Sequence, residues 1–274
     1  LKVAACADSA CTAPPTISTV DSYLATGYYP SVVIGGDGNP IIAYHYESGG
    51  DLKYAVCDNW SCSSSTIRSL DAWGMGHVSV ILDPVYETPS FVYQRYDQAT
   101  ASGNQLAFLH CNHLTCVAGS DGNSSWAAPT FRILDTVSLS GTYSSVALGG
   151  SQGLWPVISY YDSTNSALKV VALQGQSGGS EGNPTTVLDS GGDVGRYTSI
   201  AVRSNYYPVI AYYDTTNGNL KVAECTDIIC TNATIKTIGT ADPAGIAIAI
   251  GNDGIPIVAY IDNNDLKVAV VPVT

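Results

Sequence analysis

The apolar positions of this chain fall into short runs of four to eight residues, rich in Val, Ile, Tyr and Thr, with Gly, Asn, Asp or Pro between them. Runs of that length and composition predict β-strands, and nothing in the chain predicts a long helix. The runs recur in a fixed order, which can be written as four segments, A to D. Segment A is small and apolar: Ser31 to Gly35, Val78 to Leu82, Ser145 to Gly149, Ser199 to Val202 and Ile246 to Ile250. Segment B opens on Pro40, Pro89, Pro156, Pro208 and Pro256, and four residues later carries Tyr44, Tyr93, Tyr160, Tyr212 and Tyr260. It ends in an acid: Glu47, Asp97, Asp162, Asp214 and Asp262. Segment C, Leu-Lys-x-Ala or a relative, begins at Leu1, Leu52, Leu106, Leu168, Leu220 and Leu266. Segment D is rich in Thr and Ile and usually ends in Asp, as at Asp21, Asp71, Asp135 and Asp189.

Asp37-Gly38 and Asp253-Gly254 between A and B suit tight turns that need positive φ, so consecutive segments predict antiparallel hairpins. In Pro40-Ile-Ile-Ala-Tyr44 the side chains are non-polar on both faces. A sheet of such strands must be covered on both sides. Repeated four-stranded sheets stacked face to face around an axis meet that demand. The predicted fold is therefore all-β: a five-bladed β-propeller of four-stranded antiparallel blades with disulfide-stapled outer hairpins. As one domain, 1–274, it divides into an N-terminal half-repeat (1–21), full repeats 22–71, 72–135, 136–189 and 190–239, and a partial repeat (240–274) that closes the ring. Segments A, B and D each occur five times but C occurs six, so one strand is surplus.

All eight cysteines lie in one spacing: Cys6 with Cys11, Cys57 with Cys62, Cys111 with Cys116, and Cys225 with Cys230. Even number and repeated spacing predict disulfides in a secreted, extracellular or cell-surface protein, each stabilising by about 2 kcal/mol in the chain-entropy account. A zinc site would need two pairs to meet, and each pair belongs to a different repeat, so no metal or cofactor is expected. His110 and His113 flank a cysteine that stays in the disulfide register. The first residue, Leu1, predicts a processed form.

At Tyr29-Pro-Ser-Val-Val-Ile-Gly-Gly-Asp-Gly-Asn-Pro-Ile-Ile-Ala-Tyr44 and Gly50-Asp-Leu-Lys-Tyr-Ala-Val-Cys57 the chain resembles secreted microbial β-propeller repeat proteins, and the likeness runs through essentially its whole length. That resemblance implies the fold and an extracellular location. Five-bladed lectins and certain glycosidases are analogies of fold. The sialidase Asp-box pattern is absent at Gly35 to Pro40.

A charge of −12, from 23 acidic against 11 basic residues, excludes nucleic acid as a partner, since phosphate neutralisation needs clustered Lys and Arg. Five of the six lysines (Lys2, Lys53, Lys169, Lys221, Lys267) recur at one place in the repeat, so they are dispersed. No apolar run reaches the length of a membrane-spanning helix, so no membrane insertion is expected. A glycosidase needs two facing carboxylates. Most acids here recur at segment ends, where an Asp bonds its own turn, so no catalytic residue is assigned. The function expected is a non-catalytic structural or protein-interaction module, its sharper form being head-to-tail self-assembly through the N-terminal hairpin. A carbohydrate-binding lectin is the alternative and a glycoside hydrolase the less favoured one. The partners are then a second copy of the chain or cell-surface glycans. Candidate ligand-binding residues are the less regular His45, Tyr46, Tyr96, Tyr161 and Tyr213 near the B to C turns. Candidate glycosylation sites are Asn59, Asn123 and Asn232.

Overall fold

In a computed structural model, residues 1–96, 104–114, 116, 129–136, 141–149, 154–175 and 185–271 are described. The chain opens with a two-stranded hairpin, β1 (Lys2–Ala5) with β2 (Thr16–Thr19). Four four-stranded antiparallel meanders follow. The first holds β3 (Thr26–Ile34), β4 (Pro40–Tyr46), β5 (Asp51–Cys57) and β6 (Ser65–Asp71). The second holds β7 (Gly74–Leu82), β8 (Pro89–Tyr96), β9 (Asn104–His110) and β10 (Thr130–Asp135). The third holds β11 (Thr142–Gly149), β12 (Trp155–Asp162), β13 (Ala167–Ala172) and β14 (Thr185–Asp189). The fourth holds β15 (Val194–Val202), β16 (Pro208–Asp214), β17 (Asn219–Cys225) and β18 (Ala233–Thr240). The last sheet has three strands: β19 (Ala247–Ile250), β20 (Pro256–Asp262) and β21 (Asp265–Val270). No described helix is long and apolar enough to cross a membrane.

The expected five equal blades are thus corrected to six sheets. The surplus C segment is the reason: β1 pairs only with β2, while β21 pairs with β20, so two strands of one type occupy separate sheets.

Hydrophobic clusters form between consecutive sheets, as two-sided apolar strands require. Ile41, Ala43 and Tyr54 of the first sheet meet Val80 and Phe91 of the second. Phe108 and Val92 of the second meet Val146, Ile158 and Tyr160 of the third. Leu168 and Val170 meet Ile200 and Tyr212, and Val209 and Val222 meet Val258 of the last sheet. The N-terminal hairpin lays Leu1, Val3 and Val20 on Ile42, Tyr44 and Ala55.

Three repeated polar contacts pin these joints. Tyr44, Tyr93, Tyr160 and Tyr212 are at most 1% exposed. Each hydroxyl donates to the Asp that ends the preceding D segment, at 2.8 Å to Asp21, 2.8 Å to Asp71, 2.7 Å to Asp135 and 2.7 Å to Asp189. The repeated lysine reaches the same carboxylate in three sheets, Lys53 to Asp21 at 3.8 Å, Lys169 to Asp135 at 3.1 Å and Lys221 to Asp189 at 2.8 Å. The serine of segment A accepts a backbone N–H from the next sheet: Val80 to Ser31, Val146 to Ser79, Ile200 to Ser145 and Ile248 to Ser199, all at 3.1 to 3.2 Å.

All four expected disulfides form, with Cα–Cα separations of 4.9 to 5.0 Å. Each lies in the connection between the two outer strands of its sheet. Asn232 is exposed, the Asn59 carbonyl accepts hydrogen bonds from Ser61 and Ser63 within its own loop, and Asn123 lies outside the described residues.

Candidate functional site

The first strand of each four-stranded sheet carries a bulge, between Tyr28 and Ser31, Met75 and Val78, Thr142 and Ser145, and Arg196 and Ser199. A bulge re-aims a side chain. Here it puts an aromatic ring two residues before every pinning serine: Tyr29, His77, Tyr143 and Tyr197. The three tyrosines stand at φ 49°, 54° and 53°, and the histidine follows Gly76 at φ 63°. A non-glycine residue in that left-handed region costs on the order of 1–3 kcal/mol, and such strain concentrates at functional sites.

The four rings form one arc across four sheets, with centroid separations of 4.1 Å (Tyr29 to His77), 4.6 Å (His77 to Tyr143) and 4.4 Å (Tyr143 to Tyr197). Burial lowers the His77 pKa to about 4, so the imidazole is neutral at pH 7. Burial, then the hydrogen bond and charge of Tyr197, pushes Tyr143 up to about 12. His77 and Tyr143, at the centre of the arc, are both uncharged at pH 7.

Beside it, between the first and second sheets, opens a cleft of about 380 Å³. Tyr29, Trp73 and Tyr96 supply its aromatic surface, with Trp73 and Tyr96 at 6.5 Å, and Gln94, His45 and Glu47 supply its polar groups. His45 is 7% exposed and neither ring nitrogen has a protein hydrogen-bond partner. Burial lowers its pKa against the opposing pull of Glu47 and Asp51.

Glu47 departs from its counterparts. Asp162, Asp214 and Asp262 close their sheets opposite Ala167, Asn219 and Asp265, whereas Tyr46 takes that place opposite Asp51. Glu47, one residue further on, lines the cleft. Asp162 and Asp214 accept their own turn N–H groups, as expected for a repeated acid. Lys53, with no aspartate at that place in its own sheet, pairs with Asp21 at 3.8 Å and sits over the Tyr46 ring at 4.5 Å.

Of the five residues expected at a binding surface, the structure brings His45 and Tyr96 together in this cleft. Tyr161 and Tyr213 are 3% and 6% exposed and flank the arc, each 6.4 Å from an arc tyrosine. Tyr161 donates to Asp193 at 2.7 Å and lies under Arg196, which fills the corresponding place between the third and fourth sheets. Tyr46 points to the N-terminal hairpin, against Tyr23 at 5.4 Å. Tyr29, His77, Tyr143, Tyr197 and Trp73 escaped the sequence reading, and Glu47 was grouped with the turn acids. The signal for the four arc rings is a fixed offset: an aromatic two residues before a serine, four times. His110 is buried and bonded through Nδ1 to Ser90 Oγ at 2.8 Å.

No protein-family model and no curated protein matches this chain. Solved structures do. A Penicillium chrysogenum α-L-arabinanase with bound arabinobiose is similar at TM-score 0.59 and 11% identity, over 92% of this chain and 80% of that one. A Lactobacillus brevis α-L-arabinofuranosidase is similar at TM-score 0.51 and 9% identity, over 92% of both chains. The Dos1 propeller is similar at TM-score 0.50 and 14% identity, over 86% of this chain and 54% of that one. The chain has a propeller-type all-β fold. At these identities the likeness is one of fold, yet it corrects the expectation of a non-catalytic structural module. Two of these three neighbours are carbohydrate-cleaving enzymes, and the reason given against catalysis, that the acids merely close repeated turns, fails at Glu47.

Proposed function

We propose that the protein is a secreted, carbohydrate-active enzyme of the glycoside-hydrolase kind, with its saccharide held in the cleft between the first and second sheets. The observation that carries this reading is the cleft's composition: aromatic faces, a buried imidazole with free ring nitrogens and an acid out of register with its repeat. Aromatic rings cover the apolar faces of a sugar, while His45 and Gln94 offer hydrogen bonds to its hydroxyls. Glu47 is the acid–base candidate. Asp51, on the other side of the β4–β5 turn, is the second carboxylate acting on His45. Four disulfides support an oxidising compartment.

The test is release of reducing sugar from a panel of neutral glycans, arabinan and galactan first. Glu47→Gln is expected to lower kcat by about 100-fold or more while leaving binding intact, the usual scale for losing a general acid or base. Trp73→Ala is expected to weaken binding instead. Absence of hydrolysis across the panel, with saccharide still bound, would remove the enzymatic part of the reading.

A further inference from the structure

The run Leu220-Lys221-Val222-Ala223 of β17 recurs at both ends of the chain, as Leu1-Lys2-Val3-Ala4 at β1 and Leu266-Lys267-Val268-Ala269 in β21. Of these two end copies only β21 has a partner of the B type. It pairs with β20 in the register Tyr260 to Lys267, Ala259 to Val268 and Val258 to Ala269. The same register joins B to C in the first, third and fourth sheets, through Tyr44 to Lys53, Tyr160 to Lys169 and Tyr212 to Lys221.

β1 nevertheless already does the outer work of a C strand. Leu1 and Val3 pack on the first sheet, the contact that Leu52 and Tyr54 make on the second. Tyr44 reaches back to Asp21 just after β2, as Tyr93 reaches back to Asp71 just after β6. What the hairpin lacks is the pair of inner strands. β1 is paired on its β2 side alone. Next to it runs an open groove of about 570 Å³, floored by Ile42, Val32 and Ile34. Val32 and Ile34 remain 60% and 61% exposed. At the other end of the molecule, Leu266, Val268 and Val270 of β21 are 74%, 63% and 61% exposed. The seat those side chains would take on the first sheet is held by Leu1 and Val3.

We propose that the groove beside β1 is the seat of this chain's own β19–β20 hairpin, and that the closed molecule exchanges β21 for β1 on the edge of β20. The exchange puts Tyr260 opposite Lys2, Ala259 opposite Val3 and Val258 opposite Ala4. It completes a fifth four-stranded sheet, β19-β20-β1-β2, and covers Val32 and Ile34. Asp262 exchanges its Lys267 partner for Lys2, an arrangement already present at Lys169 with Asp162. The contact with the fourth sheet through Ile248, Ile250 and Val258 is kept. A closed ring has room for one C strand at this place, so β21 is released.

Paired cysteines distinguish the two pairings in the full chain. Val3→Cys with Ala259→Cys is expected to form a disulfide within the monomer, mapped by mass spectrometry of proteolytic peptides. Val268→Cys with Ala259→Cys reports the β21 pairing and is expected to cross-link in the minority. Hydrogen exchange of the unmodified protein supplies an independent reading, with the backbone amides of β1 expected to exchange at least about tenfold more slowly than those of β21. Cross-linking at 259 with 268 alone, or slow exchange in β21 and fast exchange in β1, overturns the proposal. A 3–259 cross-link found only between two chains overturns it too, since the occupant would be a second copy.

Discussion

The joint between the third and fourth sheets and the joint between the fourth and last sheets share one apolar design but not one polar design. At the first, Leu168, Ile210 and Tyr212 are fully buried, Tyr212 donates to Asp189, Lys221 pairs with the same carboxylate, and Ser145 accepts the N–H of Ile200. At the second, Val209 and Val258 are as well buried and Ser199 accepts the N–H of Ile248. There the pinning aspartate is missing. Gly239 stands opposite Leu220, where Asp189 stands opposite Leu168, and Tyr260 is only half-buried. Lys267 pairs with Asp262 of its own sheet and stays 42% exposed. Apolar repetition is enough to make a sheet stack; the buried tyrosine, lysine and aspartate make a joint that resists opening.

The largest break in that contrast is expected from Asp135→Ala. Lys169 lies between Asp135 and Asp162 with 8% of its side chain exposed. Lys169 keeps Asp162, but the buried Tyr160 hydroxyl loses its acceptor and Lys169 one of two carboxylates, a loss of about 2–3 kcal/mol to be read as a drop in the urea midpoint. Asp262→Ala, at the exposed Lys267, is expected to move the midpoint far less. Equal losses at the two sites would remove the distinction.

Acid is expected to act in two stages. His77 titrates at about 4 in the folded protein against 6.5 in an open chain, so the unfolded state takes up the proton first and stability declines as pH falls between those values. Burial opposes ionisation of Asp21, Asp162 and Asp189. At Asp21 the Tyr23 N–H and the Tyr44 hydroxyl outweigh it, at Asp162 Lys169 and Asn165, and at Asp189 Lys221, the Gly191 N–H and Tyr212, leaving all three below the ordinary carboxylate range. Their contribution is whole above about pH 4 and is lost as pH falls through the lower folded values. Urea midpoints at pH 7, 5 and 3 would show both stages, and His77→Phe should shrink the first without touching the second, the remainder belonging to His45 and His110, whose pKa values burial also lowers.

A gain is expected from Gly239→Asp. A Cβ at Gly239 meets nothing within 4 Å. The new carboxylate would accept from Tyr260 and raise stability by about 1–2 kcal/mol, the scale of a charge-assisted hydrogen bond. Ser145→Ala strips the acceptor from the Ile200 N–H and is expected to cost about 1 kcal/mol, read from the same midpoint.

Strand number, hairpin order and disulfide pairing were legible because each rests on local spacing: a proline at the head of a strand, a turn dipeptide, two cysteines five residues apart. The repeated Tyr, Lys and Asp were visible too, but only as separate columns. Tyr212 and Asp189 are 23 residues apart, and the bulge that brings Asp189 opposite Leu168 leaves no mark in the composition. The cleft was half legible. His45 and Tyr96 stand out as irregular, whereas Tyr29 and Trp73 join them only through the stacking of one sheet on the next. Glu47 was grouped with the turn aspartates, an error of one residue in register that reverses where the side chain goes.

The Cys-x4-Cys clips have an uneven distribution. They lie in the outer connections of the N-terminal hairpin and of the first, second and fourth sheets, while the β13–β14 connection contains no cysteine. Among the outer connections a protease acting on the intact protein therefore meets unclipped chain at β13–β14 and at residues 117–129, beyond the Cys111–Cys116 clip, and nicking should start at those two places. Reduction would erase that preference and spread cleavage to all of them, so the digestion pattern with and without reductant reads out the clips directly.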